Sequence, residues 1–197
     1  MRNSLLFLIA VLLISSCQSK KELPILSRYI DTNGADVTYT ISDFEFRNQL
    51  NQLITDQNTY NKVYLANFFF TRCPSICPKM TSALTNFATD FINNEDFLLL
   101  SFSIDPNNDS IPVLRRYAEA TNIPSSKWHF LNGSDEQLKH VSSLFRTSFK
   151  PKEDRMDFYH SSYAALVDKQ QYIRGFYNLL DKSSVNQLKK DIALLLE

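Results

Sequence analysis

Glycine is nearly absent. The 197-residue chain has three, Gly34, Gly133 and Gly175, each isolated. A GxGxxG turn and a P-loop both need clustered glycines, so nucleotide chemistry by those routes is excluded. A basic excess is absent too, with 21 Lys and Arg against 21 Asp and Glu. Nucleic-acid binding normally shows as a positive surplus, so no nucleic-acid partner is expected. No apolar run reaches the roughly 20 residues of a membrane-spanning helix. Cysteine is limited to Cys17, Cys73 and Cys77. What the chain does hold is an apolar fraction of 44%, with 15 Phe and 9 Tyr. That is enough for one core, and the length fits one domain with a tail.

The N-terminus reads as a targeting segment. "MRNS" carries one positive charge, and "LLFLIAVLLI", Leu5 to Ile14, has the length of a signal-peptide apolar region. "ISSC" then resembles a bacterial lipobox, which implies cleavage before Cys17 and lipid attachment to its sulfur. The plainer reading is an ordinary signal peptide, with Cys17 incidental. The expected organisation is a lipoprotein signal peptide over 1–16, a polar tether over 17–35 and a folded domain over 36–197. The expected location is the bacterial cell envelope, lipid-anchored to a membrane and facing the periplasm or exterior. Outside the cytoplasm, thiols tend towards disulfide unless kept reduced or metallated. With Cys17 acylated, Cys73 and Cys77 are left to each other or to an external partner.

From residue 36 the chain alternates. "TYTISDFEFRNQLNQLITD" reads as an early hairpin, broken at Asn48–Gln49. "KVYLANFFF" is β-branched and aromatic, a buried central strand with Asn67 its polar exception. "PKMTSALTNFATDFI" has helical spacing, and "FLLLSFSI" is a second buried strand. "SIPVLRRYAEAT" is a helix with Ser110 as N-cap and Pro112 in the first turn. "WHFL" is a short strand. "SDEQLKHVSSLF" is a helix with Gln137 near the capping-box position. "YAALVDKQQYIRGFY" is a strand pair turning at Lys169–Gln170, and "SSVNQLKKDIALLLE" is a C-terminal helix. The order predicts an α/β fold, a central mixed β-sheet flanked by helices with an N-terminal β-hairpin. A cysteine motif between the first buried strand and its helix is the thioredoxin-like arrangement.

The motif is "CPSIC", with three residues between Cys73 and Cys77 instead of two. Residues four apart share a helix face, so Cys77 is expected one turn into the helix, with both sulfurs near one spot. A helix N-terminus favours thiolate. Two thiolates form a soft pair suited to Cu(I) or Zn, and a histidine is the natural third donor. The residues leave three histidines open. His129 alternates with Trp128 and Phe130 as a half-buried strand residue. His140 belongs on a helix surface or flank. His160 sits in a loop feeding the next strand, where a thioredoxin-like fold packs chain beside the cysteines.

"NFFFTRCPSICPKM", "LLSFSIDPNNDSIPVLRRYAEA", "WHFLNG" and "YHSSYAALVDKQQYIRGFY" occur in the order and spacing of the Sco/SenC family. The resemblance runs from about Thr40 to the last helix. It implies a thioredoxin-like copper chaperone, tethered to a membrane, that helps assemble the copper centre of cytochrome c oxidase subunit II. It implies copper held by Cys73, Cys77 and His160, as Cu(I) with Cu(II) also accommodated. It also implies a redox disulfide between Cys73 and Cys77, for which a thioredoxin-like reductant would be a further partner. The family usually has an acidic residue just before the ligand histidine; here Tyr159 stands there, with Asp157 three residues before His160. Both are candidates to support the ligands from outside, as is Asp105 in "SIDPNND". For Asp105, turn chemistry is an equal reading. Pro74 and Pro78 read as structural, and Phe68–Phe70 as core.

The main rival is an extracytoplasmic thiol-disulfide oxidoreductase with Cys73 as nucleophile and Cys77 as resolving thiol. Against it stand the wider spacing and the lack of a proline in "DFYHSSYA", where thioredoxins place a cis one. A peroxidase is a second rival, because Thr71 precedes Cys73 by two residues. An interaction protein with a structural disulfide is the third.

Overall fold

The computed structural model describes residues 22–147 and 161–197. Seven strands form one sheet: β3 (Glu45–Asn48), β4 (Leu53–Thr55), β5 (Val63–Phe69), β6 (Phe97–Ser103), β7 (Trp128–Asn132), β8 (Tyr163–Val167) and β9 (Ile173–Asn178). Their order is β4-β3-β7-β6-β5-β8-β9. β5, β6 and β7 run parallel, while β8 and β9 close one side and β3 and β4 the other as antiparallel pairs. Every residue of β5 and β6 is buried. That is why both read as continuous apolar runs without alternation.

The helices are α1 (Asp56–Thr59), α2 (Cys77–Asp90), α3 (Ile111–Glu119), α4 (Asp135–Leu144) and α5 (Lys182–Leu196). Sequence chemistry sets their starts. Ser134 accepts a hydrogen bond from the Gln137 backbone N–H, and the Gln137 side chain returns to the Ser134 N–H, forming a capping box. Ser110 is the N-cap of α3 with a proline in its first turn, although its side chain makes no capping bond. Two aromatic layers split across the sheet because alternate β5 residues face opposite ways. Phe68 stacks on Phe102 and meets Phe145 beyond α4, while Phe69 meets Tyr117 of α3 and Phe130 of β7. Among the described residues no helix is long and apolar enough to cross a membrane.

The expected hairpin is β3–β4. Its turn is organised by Asn48, whose side-chain oxygen accepts from the Leu50 and Gln52 N–H groups, and Asn51 supplies the left-handed residue at φ 62. The described part of the expected tether is not free of the domain. β1 (Arg28–Ile30) and β2 (Asp36–Thr38) form a separate antiparallel ribbon, so a boundary at 35/36 falls inside it. Leu23 is buried, and the Leu26 N–H donates to the Ile173 carbonyl at 2.7 Å. These contacts cover part of the β9 edge, which would otherwise present unpaired backbone. The segment lacks a period because each such contact is made by one residue at a time.

Candidate functional site

β5 carries the chain to the C-terminal end of the parallel strands. The Ile104 N–H still pairs with the Phe69 carbonyl at 2.9 Å, and β5 ends there. Residues 70–76 are irregular, and α2 starts at Cys77. Cys77 is therefore the first residue of the helix and not one turn in, and Cys73 lies in the loop before it. Two prolines explain this. Pro78 has no N–H and is tolerated only in the first turn, which pins the helix start. Pro74 disfavours helical backbone at Cys73 just before it. The two sulfurs meet because the loop folds back, with the Cys73 N–H donating to the Phe70 carbonyl at 3.3 Å.

Both cysteines are buried and present as thiols, beneath exposed Pro74 and Ser75. The Cys73 sulfur lies 3.7 Å from the Ser75 hydroxyl. Burial pushes the Cys77 thiol up to about 12; hydrogen-bonding contact with Cys73 and the nearby Asp109 charge act in the same direction, and a bond from the Phe70 backbone opposes them. Desolvation thus outweighs the helix N-terminus, and the expected thiolate character is not seen at Cys77. Proximity does follow the expectation, since Cys73 and Cys77 are hydrogen-bonding neighbours.

Two carboxylates from the loop after β6 hold the approach to Cys73. Asp105 accepts from Arg72 at 2.7 Å and from the Asn108 side chain at 2.7 Å. Its carbonyl also receives the Asn108 and Asp109 N–H groups, so it serves the turn and the cysteine loop together. Asp109 is fully buried. It accepts from the Thr71 N–H at 3.1 Å, the Thr71 hydroxyl at 2.5 Å and the Ser103 hydroxyl at 2.5 Å. Burial raises its pKa against the pull of those bonds. Tyr117 comes near the same place, bonded to Thr81 at 2.9 Å, its pKa raised by burial and further by the cysteine charges. Sequence reasoning missed Asp109, Arg72 and Tyr117. The "DPNND" stretch was the one available signal, and it resolved a single acid where two act.

His129 is buried in β7, and the Asn48 amide lies 3.3 Å from its Nδ1. Burial lowers its pKa to about 4, so the ring is neutral, accepts at Nδ1 and carries its proton on Nε2. It faces the hairpin and not the cysteines, a structural role. His140 is exposed on α4. Cys17, Asp157, Tyr159 and His160 lie outside the described residues. Among the described residues no third His, Cys, Asp or Glu completes a metal-sized cluster with the two thiols. The described chain resumes at Ser161, two residues before β8. Because β8 runs antiparallel to β5, pairing Ala165 with Ala66 and Val167 with Tyr64, its start is at the cysteine end of the sheet.

Chemically, the arrangement offers two adjacent soft donors, one on a braced loop and one at a helix start. Buried thiols are poor attacking nucleophiles, because exchange enzymes use an exposed sulfur, and both sulfurs here are buried. A peroxidase would use Thr71 to assist Cys73, yet here the Thr71 hydroxyl donates to Asp109.

A family model described as SCO1/SenC matches residues 32–197. The SCO1 protein homolog of Bacillus subtilis (strain 168) is 28% identical over 159 residues, covering 79% of this chain and 82% of the relative. The solved structure of BsSco, described as having a disulfide switch and as a member of the Sco family of cytochrome c oxidase assembly proteins, is 27% identical. Its TM-score is 0.70, and the match covers 80% of this chain and 94% of that one. Arabidopsis thaliana ScoI, solved with copper bound, is 25% identical with a TM-score of 0.66, over 78% of this chain and 98% of that one.

Proposed function

The chain belongs to the SCO1/SenC family, and from that premise we propose that it is a membrane-anchored copper metallochaperone that carries copper on Cys73, Cys77 and His160. Its acceptor is the copper centre of cytochrome c oxidase subunit II, to which it delivers the metal or whose thiols it prepares. Cys17 is the lipid attachment point, and the domain faces the periplasm or exterior. Asp157 and Tyr159 support the imidazole from outside the ligand set.

The observation that carries the reading is the pair of neighbouring buried thiols at the end of β5. This donor set suits Cu(I), a soft cation that two sulfurs hold well and that a neutral imidazole completes. Binding displaces the thiol protons, so a thiol kept neutral by burial becomes a ligand when the metal arrives. Ser161 supports His160 as the third donor, since it follows His160 directly and leads into the cysteine end of β8. The copper bound by Arabidopsis thaliana ScoI supports the cargo, and the assembly role of the Sco family supports the acceptor. The disulfide switch of BsSco supports a second state in which Cys73 and Cys77 are joined. Thiol-disulfide exchange is then an accompanying capacity; burial of both sulfurs argues against its being the main one.

The test is copper titration of the reduced full chain in detergent against a competing chelator. One Cu(I) per chain is expected. Cys73→Ser and Cys77→Ser each abolish it, and His160→Ala weakens it by at least about tenfold, the usual cost of a lost ligand or supporting group. His129→Gln and His140→Ala bind as the wild type. Wild-type copper binding by His160→Ala, together with disulfide-reductase activity lost in either cysteine variant, would replace this reading with the oxidoreductase.

A further inference from the structure

Asp109 lies where the three parallel strands end. Its Oδ1 accepts from the Thr71 hydroxyl, two residues past the end of β5, and its Oδ2 accepts from the Thr71 N–H and the Ser103 hydroxyl at the end of β6. The Asp109 carbonyl accepts from Asn132 at the end of β7 at 2.9 Å, and its N–H donates to the Asp105 carbonyl at 2.9 Å. One fully buried residue thus joins all three strand ends to the loop that carries Cys73. Beyond Thr71 the loop changes character. Pro74 and Ser75 are exposed, and the Ser75 hydroxyl turns back to the Cys73 sulfur and not to the sheet. α2 fixes Cys77 from the other side.

We propose that Asp109 is a positioning residue of the cysteine site, which fixes Thr71 to the sheet and thereby sets Cys73 against Cys77. This rests on the metal-site reading, and it assigns to an acid on the loop after β6 the task of registering the two thiols. The bidentate grip matters, because a single bond to Thr71 would leave the loop free to pivot. Both Thr71 donors engage the same carboxylate, one on each oxygen, which defines a direction as well as a distance. Motion during metal loading or disulfide closure is then confined to residues 73–76, between a fixed stalk and a fixed helix start. Holding the sulfurs adjacent raises their effective concentration toward each other and toward one metal ion.

The test uses Asp109→Asn, Thr71→Val and Tyr177→Phe in the full chain. Asparagine offers one acceptor oxygen in place of two, and valine removes the hydroxyl donor at nearly constant shape. Tyr177→Phe removes a buried 2.7 Å bond to Asp191 on α5, away from the thiols, and controls for loss of stability. Two readouts go beyond folding: Cu(I) affinity, and the equilibrium with glutathione. In the latter, two electrons and two protons pass from the Cys73 and Cys77 thiols to one glutathione disulfide, giving two glutathiones. Asp109→Asn and Thr71→Val are expected to lower copper affinity by about tenfold. The disulfide-forming equilibrium constant should fall by a similar factor, on the order of tenfold, as the thiols lose effective concentration. Tyr177→Phe should lower stability and leave both readouts unchanged. The proposal is overturned if Asp109→Asn and Thr71→Val lose stability as Tyr177→Phe does yet keep both readouts at wild-type values. Should the wild type bind no copper, the metallochaperone reading fails by itself, and the glutathione equilibrium still decides the role of Asp109.

Discussion

Both ends of the sheet bury ionic and polar side chains, but they spend them on different objects. At the cysteine end, Asp105 and Asp109 reach up to Arg72 and Thr71 and so to a loop. At the opposite end, Asp168 pairs with Arg174 at 2.8 Å, with both side chains almost wholly inaccessible. Arg174 also donates to the Leu23 carbonyl, tying the N-terminal segment to β9. Beside it the Gln171 amide joins Thr59 and Tyr64. The far end closes the domain on itself. The near end holds its groups on a short irregular segment that carries Cys73 and leads into Cys77 at the start of α2. Substitutions at the two ends should therefore separate, with stability lost at one and copper binding at the other.

The largest expected effect is at the far end. Arg174→Ala leaves Asp168 buried without its cation and releases the Leu23 carbonyl. Breaking a buried pair by removing one partner costs about 3–5 kcal/mol. The urea midpoint should fall accordingly, with Cu(I) affinity unchanged while the protein is folded. Replacing both members, Arg174→Met with Asp168→Asn, should recover part of the loss, because the stranded charge is removed while the Asn side-chain oxygen still accepts from the Gln170 and Tyr172 N–H groups. A tenfold loss of copper affinity in Arg174→Ala would show the two ends to be coupled and break the comparison.

His129 sits between the ends. Its pKa is about 4 in the fold, below the ordinary value of 6.5. The unfolded chain therefore binds this proton more readily between those values, and the stability contributed is present above pH 6.5 and lost as pH falls to 4. The size is about 3 kcal/mol, at roughly 1.4 kcal/mol per pKa unit. Asp109, whose pKa burial raises, acts in the opposite sense at acid pH, so the measurement is the difference between wild type and His129→Gln. The variant should show a flatter stability profile from pH 6.5 to 4. An unchanged slope would mean that the ring is not held neutral by burial.

The fold was legible where burial writes long runs. β5 and β6 are apolar on both faces, and the capping box at Ser134 and the hairpin turn at Asn48 use local chemistry. The thiol pair was legible as a motif, but its geometry was not. Helical spacing suggested one turn between Cys73 and Cys77, while Pro78 moved the helix start onto Cys77 itself. Nor was the thiol pKa legible, because burial depends on residues far along the chain. Asp109 could not be told from Asp105 within "DPNND", since its partners Thr71 and Ser103 come from two different strand ends. The contacts of the N-terminal segment were illegible for the same reason. Arg174 and Ile173 hold it across some 150 positions of sequence, at separations of 151 for Leu23 and 146 for Ser27.

The smallest effect tests whether nearness to the cysteine end is itself enough to affect copper. Ser134 follows β7, whose C-terminal end lies with those of β5 and β6. Its hydroxyl accepts the Gln137 N–H at 3.2 Å, and its own N–H donates to the Gln137 side chain at 2.7 Å. The two residues bond to each other and not to the cysteine loop. Ser134→Ala removes the hydroxyl acceptor and leaves the Gln137 N–H to water, which the exposed position permits. The cost should be about 1 kcal/mol, typical of a lost N-cap, read as a small drop in the urea midpoint. Asp109→Asn, at the same end of the sheet, should lose copper affinity, whereas Ser134→Ala should keep it. A matched loss in Ser134→Ala would mean that the whole end of the sheet, and not the grip on Thr71, sets the thiols.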